Sequence, residues 1–544
     1  MTTIETHAAV TPNAALAGIA DWLTSTDHKR IGRLYLGVAT LMLVASSAVA
    51  ALLAVERIDI TRELLDLGVL TQLFALARFG LTILVLAPLV IGVAIAVVPL
   101  QLGSRSLTFP RLAAAGFWLW FFGAVLAIYS LLLNGGPGGG NPRFVDLFTL
   151  AAVLALAGLL AGAMSLAATV LTSRAPGMNM RRVPFFSWSV LVMAVSLLVA
   201  LPVVIGDLIV VMVAHRYPSL SELSGNRALA EWAGFGFTQP TTLLFAIPVL
   251  GVLGDVVATA TGRRLAPRGV LLAGIGLAGT AVFATSLKSP FVLESPFLDL
   301  SAGDKLAELA PYAVVHLLPL LGVLVAVLVC VGALRTRPRL GAAFIAALFA
   351  GLLLLLGTTA SAVNHIADAQ LVGTVFEEGT WSIVVYAGVL AALAGVVHWG
   401  PKWWGRRMPT AITSLLVLLA AGGAALSGIP LLVAGFADQP GAVFPTIEVG
   451  SDAVVNFPSA EGPLQLLNAL SAVGHLAVLV AVVAFTALVA RSARRGERAG
   501  DDPWDGQTLE WATSSPAPAD NFAEVHIVRS AEPLLDLKSS RGEA

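Results

Sequence analysis

LTILVLAPLVIGVAIAVVPL, residues 81–100, contains no Asp, Glu, Lys, Arg or His. A helix needs about 20 apolar residues to cross a hydrocarbon layer of roughly 30 Å. Inside that layer no water satisfies backbone N–H and C=O groups, so a lone spanning segment must be helical. GAAFIAALFAGLLLLLGTTASAVN, residues 341–364, is uncharged in the same way. Neither stretch alternates polar and apolar positions as a barrel strand would. The chain is therefore expected to be an all-α, polytopic membrane protein.

Composition agrees. Of 544 residues, 57 % are hydrophobic and 12 % charged, against about 25 % charged in soluble domains. Net charge is −1, so no bulk field points to nucleic acid. The single cysteine, Cys330, excludes an internal disulfide or a cysteine-based cluster. Hydropathy gives twelve spans centred on 34–54, 79–100, 112–133, 147–171, 186–213, 240–260, 269–287, 312–334, 341–363, 381–398, 411–434 and 466–490. Basic clusters at His28–Arg33, Arg105–Arg111, Arg174–Arg182, Arg263–Arg268, Arg335–Arg339, Lys402–Arg407 and Arg491–Arg498 alternate with Gly-rich, acidic or mixed connections. By the positive-inside rule the basic connections face the cytoplasm, and so do both termini. The expected organisation is a mobile cytoplasmic N-terminus (1–25), a twelve-helix domain (26–495) and an extended cytoplasmic tail (496–544) too short and polar for its own core. The first residues lack a basic start followed by an apolar core, so no cleaved signal peptide is expected.

Several strings carry more than hydropathy. They are TDHKRIGRLYL at 26–36, VPLQLGSRSLTFPRL at 98–112, RAPGMNMRRVPFFSWSVL at 174–191, VVHWGPKW at 396–403 and GDDPWDGQTLEWATSSPAPADNF at 500–522. In this order they resemble subunit I of the haem–copper terminal oxidases, from near residue 20 to near residue 540. The resemblance implies twelve helices in three arcs around a cofactor core. It also implies dioxygen reduction coupled to proton pumping, two haems and a copper ion, other oxidase-like membrane subunits as partners, and the bacterial plasma membrane.

The cofactor core is where the sequence departs from that pattern. Haem iron and copper in this family need imidazole nitrogen, from six histidines on helices two, six, seven and ten. On helix two, Ala77 takes the histidine place. On helix six, Gln239 stands for a copper ligand, Thr241 for the proton-carrying glutamate and Leu243 for the cross-linked tyrosine. Thr285 and Ser286 align with the histidine pair of helix seven, and Gly379 and Trp381 with the two haem ligands of helix ten. The histidines in or near spans, His215, His316, His365 and His475, are scattered without ligand spacing. No haem–copper centre of the family's kind is expected, and no catalytic, metal-binding or cofactor-binding residue is assigned.

Four charges remain as candidates. Arg78 lies beside Ala77, and Glu377 and Glu378 lie one turn before Trp381. An ion pair from Arg78 to either glutamate would cross the space a haem leaves; alternatively all three reach outward to water. Asp207, inside an apolar run, is either functional or a helix cap. Asp255, close to Arg263 and Arg264, reads as a solvated charge, and His316 and His475 as hydrogen-bonded core residues. Three functions follow. The chain is a catalytically silent paralogue serving as scaffold, assembly or regulatory subunit, or a working oxidase subunit, or a transporter or ligand-binding protein reusing an emptied haem cavity.

Overall fold

The structure, a computed structural model, describes residues 20–58, 65–137, 139–217, 241–294, 297–441, 462–524 and 526–540. Twelve helices in it are long and apolar enough to cross a membrane. They are α1 (His28–Glu56), α2 (Gly68–Gln101), α3 (Pro110–Leu132), α4 (Pro142–Thr172), α5 (Phe185–Arg216) and α6 (Thr241–Thr261). The remaining six are α7 (Arg268–Leu287), α8 (Ala302–Thr336), α9 (Ala342–Asn364), α10 (Val375–Trp404), α11 (Thr410–Gly435) and α12 (Pro463–Arg495). Each coincides with one of the twelve hydropathy spans, nine containing it whole and three, α3, α6 and α9, missing it by one residue at one end. Hydropathy falls where the chain meets headgroups and water, while the helical hydrogen bonding continues for a turn or more.

Local chemistry sets the starts. Asp27 accepts from the Lys29 amide at 3.0 Å ahead of α1, and Thr374 from the Phe376 amide at 3.2 Å ahead of α10. Such side chains satisfy N–H groups that have no partner within the first turn. Inside α2, Gly80–Leu86 is a π-helical turn, which rotates the residues before it relative to those after it.

Burial separates the helices into two sets. The most apolar windows of α2, α6 and α10 are 100 %, 94 % and 94 % enclosed, against 39–56 % for the other nine. Three central helices are thus ringed by nine that present a face to lipid. This matches sequence character, since α2 carries the twenty-residue uncharged run.

Residues 496–524 and 526–540 lie across one end of the bundle. Arg406–Arg407 and Glu497–Arg498 form a short antiparallel ladder. The Trp504 indole donates to the His398 carbonyl at 2.8 Å, and the Val528 amide to the Pro176 carbonyl at 2.8 Å. Leu509, Trp511 and Phe522 are buried beneath this layer. Asn521 ties the tail to the start of α1. His28 Nδ1 lies 3.0 Å from the Ile95 carbonyl and donates there. Its Nε2 is then left to accept from the Asn521 amide at 2.9 Å. The Asn521 carbonyl accepts from Lys29 at 2.9 Å, and its amide also donates to Ser104. The loops that carry the basic clusters are therefore fastened to one another through the tail.

Replacing Asn521 by Ala leaves a buried imidazole nitrogen and a buried ammonium short of partners. The expected loss is about 1–3 kcal/mol, read as a lower thermal midpoint in detergent. Glu524→Ala, at an exposed site, is expected to leave the midpoint unchanged.

Candidate functional site

The haem–copper resemblance directs attention to the seam between α2 and α10, which touch directly. The Trp381 indole N–H donates to the Thr82 hydroxyl at 3.1 Å. Four residues earlier on α2, the Arg78 guanidinium carbon lies 5.1 Å from the centre of the Trp381 ring, a cation–π contact. Further along the seam Leu86 fills the hollow at Gly388, where an added Cβ would come within 2.1 Å of a Leu86 methyl. On the opposite face of α10, a Cβ at Gly379 would lie 2.8 Å from the Gly428 carbonyl oxygen of α11. Backbone cannot yield there as a side chain can, so Gly379 accepts no larger residue without separating α10 from α11.

These contacts refine the alignment. Ala77 is buried in a small cluster with Leu53 and Leu70, while Arg78 is the residue aimed at α10. Trp381 faces α2, whereas Gly379 faces α11. The side chains in these contacts are an arginine, a threonine, a tryptophan and a leucine, and further along Val93 lies against Gly395. None of these is an imidazole, and they bring the two helices into direct contact. The set does not fit a haem held by histidines from α2 and α10.

The expected Arg78–Glu378 or Arg78–Glu377 ion pair is not what forms. Glu378 is held by Arg57, which follows the last turn of α1, through a two-pronged contact of 3.0 and 2.5 Å. Arg57 is 5 % exposed, so its charge is compensated by side chains rather than by water. The Arg57 carbonyl accepts from Asn468 of α12 at 3.3 Å, and Asn468 in turn accepts from Gln439. Arg78 instead sits over the Trp381 ring, from where it acts on Glu378 at longer range. Glu377 turns aside and accepts from the Asn364 amide at 3.4 Å. Arg57 escaped the sequence reading because Glu56 and Arg57 adjoin at a span edge, where opposite charges look self-compensating.

At α6 and α7 the Thr241 and Thr285 hydroxyls are 2.7 Å apart and buried. Ser286 points outward and donates to its own helix at Phe283. Gln239 lies outside the described residues. Asp207 is buried and ion-paired to Lys288, at the end of α7; the partner is thus a cation rather than a helix terminus. His475 meets the Tyr386 hydroxyl at 2.9 Å, and His316 Nε2 the Pro290 carbonyl at 2.7 Å. Both are hydrogen-bonded core residues. The scatter of His316 and His365 in sequence is misleading, since their rings stack with centroids 4.3 Å apart. Among the described residues no three His, Cys, Asp or Glu side chains converge as a metal site requires.

Asp255 overturns its sequence reading. It is 5 % exposed and accepts from the Phe185 and Phe186 amides, both at 3.0 Å. It therefore caps the start of α5, which Pro184 leaves without a side-chain cap. Gln101 donates to Asp255 at 2.8 Å and to Glu510 of the tail at 3.2 Å. Burial raises the Glu510 carboxyl above the ordinary carboxylate range. Arg264, the expected solvating neighbour, pairs instead with Glu532 and Asp536.

The fold thus defines a twelve-span, all-α membrane protein with three enclosed helices. Residues 30–477 match the Cytochrome C and Quinol oxidase polypeptide I family, and the chain belongs to that family. It is 27 % identical to cytochrome c oxidase subunit 1 of Bacillus subtilis (strain 168), over 94 % of this chain and 82 % of that protein. A putative cytochrome c oxidase subunit 1-beta of Streptomyces avermitilis is 26 % identical over 95 % of this chain and 92 % of its own length. Among solved structures, a haem–copper terminal oxidase dimer matches with a TM-score of 0.65 at 15 % identity, covering 94 % of this chain and 89 % of that one. The chain therefore has the fold of haem–copper oxidase subunit I.

The charge lock at α10 makes a direct prediction. Arg57→Leu strands Glu378 and is expected to cost about 3 kcal/mol, the lower end for a broken buried pair because Glu378 keeps some contact with water. Arg57→Leu combined with Glu378→Leu is expected to recover most of that loss. Thermal unfolding in one detergent checks both.

Proposed function

We propose that this protein is a catalytically silent relative of cytochrome c oxidase subunit I. It serves as a scaffold, assembly or regulatory subunit of a membrane complex in the bacterial plasma membrane, with both termini cytoplasmic. The observation that carries this reading is the α2–α10 seam. Trp381 bonds to Thr82, Arg78 lies on Trp381 and Leu86 packs into Gly388, where the family's chemistry needs two facing imidazoles. Thr241 and Thr285 bonded to each other support the same reading for the copper side. A shared fold does not carry a reaction without its site.

The family's partners are other oxidase subunits, and the parts of the chain suited to docking are intact. The nine outer helices keep their faces, and the tail still binds the basic loops together. A subunit that has lost its cofactors yet keeps this frame can hold partners in register. The transporter reading needs a polar path through the core, and the closed seam argues against one between α2 and α10.

The test is paired. Affinity-purified protein in lipid vesicles is supplied with reduced cytochrome c or a quinol, and oxygen uptake is recorded. Mild-detergent purification from native membranes is followed by identification of co-purifying subunits. Uptake no faster than empty vesicles, with a stoichiometric oxidase-like membrane subunit bound, is the expected result. Turnover that depends on the protein would return it to the working oxidases.

A further inference from the structure

A cavity of about 240 Å³ lies at the tail-covered end of the bundle, among the ends of α6, α9, α10 and α11. A structural water needs only about 10–15 Å³ on the same measure, so this space is ligand-sized. Its walls are mainly aliphatic, including Val256, Ala343 and Val397, with Trp504 of the tail on one side. Thr259, Thr410 and Thr413 also line it, and two further polar groups stand out. His398 is 3 % exposed and lines the cavity. Its ring lies against Trp504 and Trp511, and among the described residues no hydrogen bond reaches either ring nitrogen, only the backbone carbonyl being bonded. Buried imidazoles ordinarily find partners. The His316, His475 and His28 rings in this protein all do. The second group is Arg339, largely exposed and only loosely engaged by Asp505 at 3.7 Å.

The geometry of the mouth narrows the ligand. Arg339 and the 71 %-exposed Leu340 immediately precede α9, so the opening lies where apolar span gives way to headgroups. A water-soluble metabolite gains little from aliphatic walls, and a plain hydrocarbon leaves His398 without a partner. We propose that this cleft binds the anionic oxygen head of a membrane amphiphile. Its charged oxygens sit between the Arg339 guanidinium and a His398 ring N–H, and its first methylenes lie against Val256, Ala343 and Val397. A phospholipid phosphate and a fatty-acid carboxylate share this chemistry. The site is distinct from the α2–α10 seam and does not depend on whether the chain is catalytic.

The experiment uses the full chain, delipidated in neutral detergent, with its thermal midpoint followed as lipid is added. The probes are dioleoyl phosphatidylglycerol, dioleoyl phosphatidylcholine and oleate. Phosphatidylglycerol is expected to raise the midpoint at roughly tenfold lower concentration than phosphatidylcholine, the factor that one extra charged contact of about 1.4 kcal/mol provides. Oleate acting as well as phosphatidylglycerol supports a general anionic site. Oleate acting alone assigns it to fatty acids. Arg339→Gln, at an exposed position, is expected to abolish the preference. Ala343→Trp, which fills the cleft from an aliphatic position, is expected to do the same. His398→Gln, retaining one donor, is expected to keep part of it. Equal response to phosphatidylcholine, no response to any lipid, or a preference that survives both Arg339→Gln and Ala343→Trp would overturn the proposal.

Discussion

An arginine, a tryptophan and a threonine meeting between α2 and α10 set the terms for the rest of this structure. Helices that face each other across a cofactor are held apart by it, and its edges supply most of their contacts. Here the helices supply those contacts themselves. The Trp381 ring provides the apolar bulk, its N–H finds the Thr82 hydroxyl, and its face receives the Arg78 cation. A charge in the low-dielectric interior is tolerated only where something polar answers it. With Arg78 laid on the ring, Glu378 takes its counter-charge from α1. Three helices are thereby tied at one level, and Asn468 and Gln439 extend the tie to α12.

The opposite end of the bundle is organised by a different constraint. Its helix ends expose N–H groups and basic side chains that need partners, and the tail brings them. Asn521 completes the His28–Lys29 pair. Glu510 shares Gln101 with the Asp255 cap and accepts from Trp399 at 3.1 Å. Lys402 is capped by the Asp501 and Thr513 carbonyls. These are the residues of the strings that resemble the oxidase family, and their contacts are structural ones. The frame at this end is held by its own hydrogen bonds between the tail and the loops.

The fold was legible because a bilayer leaves few alternatives. Uncharged runs such as 81–100 and 341–364 must be helices, and all twelve spans follow from that constraint. That Ala77, Thr285, Ser286, Gly379 and Trp381 are not imidazoles was equally visible as residue identity. What could not be read was direction. Ala77 and Arg78 are adjacent, and only the rotation of α2 ahead of its π turn decides which one faces α10. Arg57 and Lys288 sit at span edges, where sequence gives no hint that their side chains turn inward to Glu378 and Asp207. Asp255 looked solvated because Arg263 and Arg264 are near in sequence, while its partners at Gln101, Phe185 and Phe186 come from elsewhere in the chain.

Whether side chains close the α2–α10 seam decides whether this chain can hold a haem there. The most direct measurement is the haem, iron and copper content of the protein purified from haem-replete membranes, with a reduced-minus-oxidised absorption spectrum of the same sample. The expected result is no haem band, with iron and copper far below one atom per chain. A stoichiometric haem signal would contradict it, because the helices would then have to part and imidazoles from outside the seam would have to hold the iron.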